Sequence, residues 1–258
     1  MLKVLFMGRK RISADTLEVL SRDPRVTVVG VLTDSHLDGS PTAAVARAKG
    51  YKLLTFEEAL AALKDRTLTF DLGLSVLYWR KLRDEFLTEP RLGVINFHPA
   101  PLPDYKGTAG YNLAILDRLD TWAVTAHYVD ADIDTGRIIE KQEFPIDSAG
   151  ELCVTLERKS MIAMRSLIDR VLASAISSDQ LLDSYENVGG RYVTRQQMEE
   201  MKKIQPGDDV SRKVRAFWFP PYDGAYIEID GEKYTLVSRR VLNELAPPGT
   251  TSLFSSDA

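Results

Sequence analysis

Short apolar runs alternate with segments of helical periodicity in the first part of the chain. Runs with β-branched residues predict buried strands over residues 2–7, 26–34, 71–77 and 92–98. Between them, helices are predicted through Leu17 and Leu20 after a Ser13 cap, over residues 41–49 and over residues 56–63. Apolar strands separated by helices indicate a parallel sheet that is covered on both faces.

The regular alternation of predicted strands and helices ends after this region. A loop with three prolines spans residues 98–107, and it precedes a helix over 110–119, strands over 124–129 and 137–144, and a long helix over 151–176. A short helix within 205–219 and a hairpin turning at Gly231 follow. We predict an α/β fold with a Rossmann-like, mostly parallel sheet in residues 1–180, a linker, helix and β-hairpin in 181–246, and a disordered tail over 247–258.

Composition narrows the class of protein. The 258 residues are 44% hydrophobic, which suits a globular core, and the formal net charge of -4 provides no overall attraction for nucleic acid. The single cysteine, Cys153, excludes a disulfide within the chain and favours a reducing compartment. No stretch approaches the ~18 apolar residues of a membrane span, and the N-terminus lacks the order of a signal peptide. We expect a cytoplasmic protein with no membrane or nucleic-acid partner.

The carboxyl ends of the predicted strands point to a ligand site. Ligands of open parallel sheets bind beyond these ends. The segments at these strand ends are Gly8-Arg9-Lys10, Leu77-Tyr78-Trp79 and Asn96-Phe97-His98. Because side chains alternate along a strand, Asn96 and His98 are expected on the same side.

Asn96, His98 and Asp134 carry the candidate chemistry. A histidine base needs an acidic partner that orients its ring, and an asparagine amide is a suitable donor to an oxyanion. No G-x-S-x-G motif is present and Cys153 has apolar neighbours, so an external amine is the expected nucleophile. A lone histidine at a strand end is more often structural, and neither His36 nor His127 receives a role. The scattered histidines and single cysteine predict no metal site.

Two motifs resemble one enzyme family. The stretch INFHPAPLPDYKG (95–107), followed by VTAHYVDADIDTGRII (124–139), is similar to the formyltransferases that use N10-formyltetrahydrofolate. The resemblance covers about residues 1–180. It implies formyl transfer from this folate co-substrate, with Asn96, His98 and Asp134 as the catalytic triad. The residues that the resemblance places around the pterin ring are Leu77, Tyr78, Asp132 and Ile133. Ala100 and Lys106 depart from the family pattern, where serine and arginine are frequent.

The C-terminal segment bears on the acceptor. RAFWFPPYDGAYIEIDGEKYTLV (215–237) resembles the bacterial sugar N-formyltransferases, whose acceptors are dTDP- or GDP-linked 4-amino-4,6-dideoxy sugars of O-antigen (lipopolysaccharide) biosynthesis, such as GDP-perosamine or dTDP-4-amino-4,6-dideoxyglucose. The tRNA-acting members carry a larger C-terminal domain and a basic face. Four alternatives stay open: methionyl-tRNA or glycinamide ribonucleotide as the acceptor, hydrolysis of the formyl folate, and a folate- or nucleotide-binding regulator without activity.

Several residues are candidates for contacting a nucleotide-linked sugar. Aromatic faces stack on bases, and basic side chains bind diphosphates. The candidates are Trp218 and Tyr222 for the base, Gly8, Arg9, Lys10 and Arg80 for the diphosphate, and Tyr105 and Lys106 for the sugar. Each of them has a plain structural alternative as core packing, surface charge or loop architecture. The family resemblance also implies a homodimer.

Overall fold

A six-stranded sheet forms the centre of the protein. The computed structural model describes residues 1–239, 241 and 242, so the tail predicted over 247–258 lies outside the described residues. The strands are β1 (Leu2–Gly8), β2 (Val26–Leu32), β3 (Leu72–Val76), β4 (Val94–His98), β5 (Tyr105–Gly107), β6 (Thr121–Tyr128), β7 (Ile138–Pro145), β8 (Arg191–Val193), β9 (Tyr226–Ile229) and β10 (Glu232–Thr235). The helices are α1 (Lys10–Leu20), α2 (Pro41–Ala48), α3 (Phe56–Lys64), α4 (Asp84–Thr88), α5 (Gly110–Leu116), α6 (Cys153–Ser177), α7 (Arg195–Met201) and α8 (Val210–Ala216), with a 3₁₀ turn at Leu37–Gly39.

The central sheet has the order β2-β1-β3-β4-β6-β7. The first four strands run parallel, as the sequence predicted, whereas β6 is antiparallel to β4 and β7 is antiparallel to β6. All five residues of β3 are buried, because helices cover both faces of the parallel part. The prediction of a mostly parallel α/β sheet is therefore confirmed.

The first helix begins earlier than the sequence suggested. Ser13 was predicted as the cap of α1, but it lies inside the helix, where its hydroxyl accepts a hydrogen bond from Thr42 at 3.2 Å. The helix starts directly after β1 because Gly8 has no side chain. A Cβ atom at Gly8 would overlap the Ser13 hydroxyl. The prediction of Ser13 as a cap was wrong for this reason.

One side of α6 packs against a face of the central sheet near β6 and β7. Its buried residues include Met164, Leu167, Ile168 and Val171, which belong to the same core cluster as Val124 of β6. Ile162 lies on the opposite face and is 75% exposed. Among the described residues, no helix has the length and hydropathy needed to cross a membrane.

The C-terminal part packs beside α5. The Asn112 amide of α5 donates to the carbonyl oxygen of Ala216 at the end of α8 at 2.7 Å. The predicted hairpin is present as antiparallel β9 and β10. Its turn residues, Asp230 and Gly231, have φ values of 51° and 82°, as a two-residue type I′ turn requires. The division into residues 1–180 and 181–246 stays a prediction.

The two faces of α6 predict different costs of mutation. Leu167→Ala should lower the free energy of unfolding by ~2–5 kcal/mol, because it removes a fully buried side chain. Ile162→Ala, on the exposed face of the same helix, should change it by less than ~0.5 kcal/mol. Urea denaturation followed by circular dichroism measures both variants, and equal destabilisation would contradict the packing of this helix.

Candidate active site

Asn96 and His98 lie at the carboxyl end of β4, opposite β6. The register pairs Asn96 with His127 and His98 with Thr125. The Ser75 hydroxyl of β3 donates to Asn96 Oδ1 at 2.7 Å, and Asn96 Nδ2 donates to His127 Nε2 at 3.0 Å. These two contacts fix the orientation of the amide, and its second N–H has no partner among the described residues.

His127 holds that amide as a neutral ring. Its Nδ1 lies 2.6 Å from the carbonyl oxygen of Tyr128, which only accepts, so Nδ1 carries the proton. Nε2 is therefore the acceptor for Asn96. Burial of the ring lowers the pKa of His127 to about 4, against the weaker opposing effect of Asp134. The 3.7 Å separation of His127 Nε2 from Asp134 Oδ1 is therefore a contact with a neutral imidazole, and not an ion pair.

His98 has its two ring nitrogens directed to different partners. Nε2 donates to the carbonyl oxygen of Tyr105 at 2.8 Å. Nδ1 lies 3.5 Å from Asp134 Oδ2, and the His98 ring is buried while the Asp134 side chain is 11% exposed. Because Nε2 holds a proton, Nδ1 is the position that gains or loses one beside the carboxylate. This arrangement suits proton uptake with local charge compensation.

Asp134 is held by its backbone as well as by its side chain. Its φ of 56° lies in the left-handed region, which non-glycine residues seldom adopt. The Gly107 N–H donates to Oδ2 at 2.9 Å, and Asn187 Nδ2 donates to the backbone carbonyl of Asp134 at 3.0 Å. A Cβ atom at Gly136 would overlap the carbonyl oxygen of Tyr128, so glycine permits this close passage of the loop. The carboxylate is thereby placed between two histidines.

The two segments predicted around a pterin ring face each other. Lys81, which follows Leu77 and Tyr78 in the chain, approaches Asp132 at 3.6 Å. Leu77 has a φ of 55°, and its carbonyl oxygen accepts a hydrogen bond from Arg9 Nε at 2.9 Å. Burial raises the pKa of Tyr78 to about 12, so this phenol stays neutral. Ile133 is partly exposed beside Asp134.

The predicted diphosphate clamps are engaged within the chain. Lys10 pairs with Glu157 at 2.6 Å. Arg80 pairs with Glu57 at 2.9 Å, and its guanidinium lies over the rings of two neighbours, Phe56 and Trp79. Arg9 binds the Leu77 carbonyl, as described above. A ligand at Arg80 or Lys10 must compete with these carboxylates.

The remaining predicted acceptor contacts are spread over two regions. Tyr105 touches His98 through its backbone carbonyl, while its hydroxyl donates to Asp117 at 3.0 Å. Lys106 is buried and donates to the carbonyl oxygen of Gly189 at 2.8 Å. Trp218 is half-buried, and Tyr222 is 65% exposed with its ring 5.9 Å from that of Phe219. The hydrogen bonds and ring contacts found for Trp218 and Tyr222 in the described part of the chain do not reach the triad.

An open cavity of about 700 Å³ lies on the ring side of Tyr105. Asp104, Asp117, Trp122 and Glu143 are among its lining residues, and the triad is not. This cavity is therefore separate from the polar cluster around Asp134. Cys153 is no alternative nucleophile, because burial raises the pKa of its thiol to about 12.

The predictions from the sequence did not include His127, Asn187 and the Gly107 N–H, which contact Asn96 or Asp134 in the structure. For His127 a signal existed, because it lies within the second motif that carried the family resemblance. Its neighbour across the sheet, however, is set by the antiparallel pairing of β4 with β6. Asn187 follows α6 in a region expected to be a linker, and no local pattern connects it with Asp134.

Comparison with known proteins identifies similar sequences. The sequence profile of the family described as formyl transferase matches residues 7–172. The chain is 29% identical over 266 residues to a methionyl-tRNA formyltransferase of Novosphingobium aromaticivorans, in an alignment that covers 97% of this chain and 85% of that protein.

Solved structures share the fold. An N-formyltransferase from Helicobacter canadensis, solved with folinic acid and dTDP-3-aminofucose, superposes with a TM-score of 0.73 at 22% identity, covering 90% of this chain and 86% of that chain. A 4-N formyltransferase from Francisella tularensis superposes with a TM-score of 0.72 at 18% identity, covering 92% of this chain and 97% of that chain. At these identities the likeness concerns the fold.

The neutral state of His127 is measurable. Its pKa of about 4 in the folded protein lies below the ~6.5 of an unfolded histidine. The unfolded chain therefore binds this proton more readily, so the contribution to stability is present above about pH 6.5 and is lost as the pH falls toward 4. An NMR titration, assigned with His127→Gln, should give a midpoint near 4. A midpoint near 6.5 would contradict the lowering of the His127 pKa by burial.

Proposed function

The chain belongs to the formyl transferase family, and on this premise we propose that it transfers the formyl group of N10-formyltetrahydrofolate to the amine of a dTDP- or GDP-linked 4-amino-4,6-dideoxy sugar. The observation that carries the chemistry is the cluster of Asn96, His98 and Asp134 at the carboxyl edge of the sheet. It offers an amide N–H without a partner among the described residues and a histidine beside a carboxylate, whereas the thiol of Cys153 is buried.

The proposed reaction begins with the neutral acceptor amine. Its nitrogen attacks the formyl carbon, and the carbonyl oxygen of the formyl group becomes an oxyanion. The second N–H of Asn96 donates to this oxygen, because the first is committed to His127. The tetrahedral intermediate collapses when the bond from carbon to N10 of the folate breaks. The formamide product and tetrahydrofolate result.

His98 and Asp134 are the groups proposed for proton transfer between the acceptor amine and N10. The attacking amine loses one proton, and N10 gains one as it leaves. While ionised, Asp134 stabilises the positive charge of protonated His98 across their 3.5 Å contact. Asp134 accepts the amine proton, directly or through water, and the same proton is passed on to N10 as its bond to the carbon breaks. The family resemblance also makes His98 a second donor to the oxyanion. Because Nε2 donates to the Tyr105 carbonyl, such donation requires the ring to exchange that partner when substrates bind.

The donor site is inferred from the two facing segments. Leu77 and Tyr78 on one side, and Asp132 and Ile133 on the other, present backbone groups and a neutral phenol to a flat heterocycle. The structural neighbour from Helicobacter canadensis was solved with folinic acid, which supports a folate as the co-substrate.

The acceptor is inferred from the C-terminal part and from charge. The fold likeness to solved sugar N-formyltransferases extends over at least 90% of the chain. Tyr222 offers an exposed ring for a base. Arg9 and Lys10, which follow β1, are the proposed partners of the diphosphate, which would compete with Glu157 for Lys10. We infer further a homodimer that acts in the cytoplasm, in O-antigen synthesis.

Methionyl-tRNA is the second candidate acceptor. The 29% identity to a methionyl-tRNA formyltransferase favours it, since that alignment covers 97% of this chain. Against it stands the formal net charge of -4, because binding to a phosphate backbone relies on clustered cations. Glycinamide ribonucleotide, hydrolysis of the formyl folate and an inactive folate-binding regulator are further outcomes that the acceptor assay separates.

An acceptor panel tests the proposed substrate. Release of tetrahydrofolate from N10-formyltetrahydrofolate is followed with dTDP- and GDP-linked 4-amino-4,6-dideoxy sugars, methionyl-tRNA, glycinamide ribonucleotide and no acceptor. We expect fast turnover with one nucleotide-linked sugar alone. Turnover with methionyl-tRNA alone would identify the tRNA, and not a sugar, as the acceptor. Turnover without any acceptor would indicate hydrolysis of the formyl folate. No turnover with any member of the panel would contradict the proposed reaction.

Substitutions in the triad should separate chemistry from folding. Asn96→Ala should lower kcat by ~10²–10³ through loss of one oxyanion donor. His98→Ala and Asp134→Asn should each lower it by ~10²–10⁴ through loss of proton transfer and charge compensation. His36→Ala and Asp38→Asn, in an exposed loop, are the matched controls. Steady-state kinetics with circular dichroism measures all five, and near wild-type rates in a triad variant would refute its role.

A further inference from the structure

Residues 184–193, here called the strap, cross the site from one side to the other. Tyr185 exchanges two backbone hydrogen bonds with Ile138 at the start of β7, both at 2.9 Å. Farther along, the Gly189 carbonyl accepts a hydrogen bond from Lys106, and β8 pairs in parallel with β5. The strap is therefore tied to both segments that hold Asp134, namely its own loop and the strand that ends at Gly107.

Asn187 is the strap residue that reaches into the Asp134 loop. Its side chain is buried, and Nδ2 donates to the Asp134 carbonyl at 3.0 Å and to the Gly136 carbonyl at 2.9 Å. The orientation of the amide is determined, because the flipped amide would direct its oxygen at two carbonyl oxygens. Oδ1 is buried without a hydrogen-bond partner among the described residues. A buried polar atom left unpaired is unfavourable, so packing alone does not explain an asparagine here.

The two contacts of Asn187 bear on the direction of the Asp134 carboxylate. A non-glycine residue at a φ of 56° is held there by its surroundings, since the ordinary regions are more favourable. Asn187 fixes the carbonyl of Asp134 itself and that of the second residue after it. Release of both carbonyls would let the loop relax, and the carboxylate would leave the Gly107 N–H and the two histidines.

We propose that Asn187 is a positioning residue of formyl transfer, which holds Asp134 in its left-handed conformation and so aims the carboxylate at His98. This inference rests on the proposed function, in which Asp134 acts in proton transfer. Asn187 also lies beyond residues 7–172, which the family profile matches, so the strap supplies to the site a contact from outside the matched region.

Two substitutions at Asn187 test the proposal. Asn187→Ala removes both donors, and we expect kcat to fall by ~10²-fold while KM for the formyl donor changes little, because misplacement of a reacting group affects turnover rather than binding. Asn187→Asp is nearly isosteric but directs a carboxylate at two carbonyls. The ratio of the kcat of Asn187→Asp to that of Asn187→Ala should be lowest at neutral pH. This ratio should rise at acidic pH, because the protonated carboxyl of the introduced aspartate donates one hydrogen bond. Val188→Ala, a neighbouring exposed strap residue, is the control and should behave as wild type.

A double variant distinguishes positioning from a general loss of structure. If Asn187 acts through Asp134, Asn187→Ala combined with Asp134→Asn should be no slower than Asp134→Asn alone. The proposal would be overturned if the fold-losses of kcat from the two single variants multiplied in the double variant. It would also be overturned if Asn187→Ala kept a wild-type kcat while Asp134→Asn was impaired. Either result would leave the proposed function intact. A fully active Asp134→Asn would instead refute the function on which the proposal rests. Thermal unfolding of every variant shows that the comparison is made between folded proteins.

Discussion

The placement of one carboxylate organises this site. Asp134 has to present its oxygens to His98 and His127 while its main chain turns through a left-handed residue. Neither requirement is met by the loop alone. The Gly107 N–H fixes the side chain, and Asn187 fixes the main chain. Because these donors come from segments far apart in sequence, the site is completed only when the whole fold is formed.

The sheet supplies the other half of the geometry. Parallel β3 and β4 place Ser75 beside Asn96, and antiparallel β6 places His127 on the opposite side. The result is a chain of oriented groups in which a serine hydroxyl and a neutral imidazole hold one amide. That amide then presents its remaining N–H without any need to reorganise, which is the condition for effective stabilisation of an oxyanion.

The sequence predicted what depends on local pattern. The apolar runs located the strands of the central sheet, the helical stripe located α6, and Gly231 marked the hairpin turn. Predictions from the sequence failed at positions whose structure depends on contacts with segments that are distant along the chain. Ser13 resembles a cap, yet the absence of a side chain at Gly8 lets α1 begin sooner. His127 and Asn187 received no role, because their partners are set by strand register and by the path of the strap.

In the proposed reaction the formyl group passes directly from the bound folate to the bound acceptor amine, and one experiment can observe this transfer. A single turnover with an N10-[¹³C]formyl donor and the active acceptor amine, followed by ¹³C NMR, reports where the labelled carbon resides at each moment. We expect the donor signal to convert directly into the formamide signal of the acceptor. Appearance of labelled formate, or of a protein-bound formyl group before the product, would contradict it.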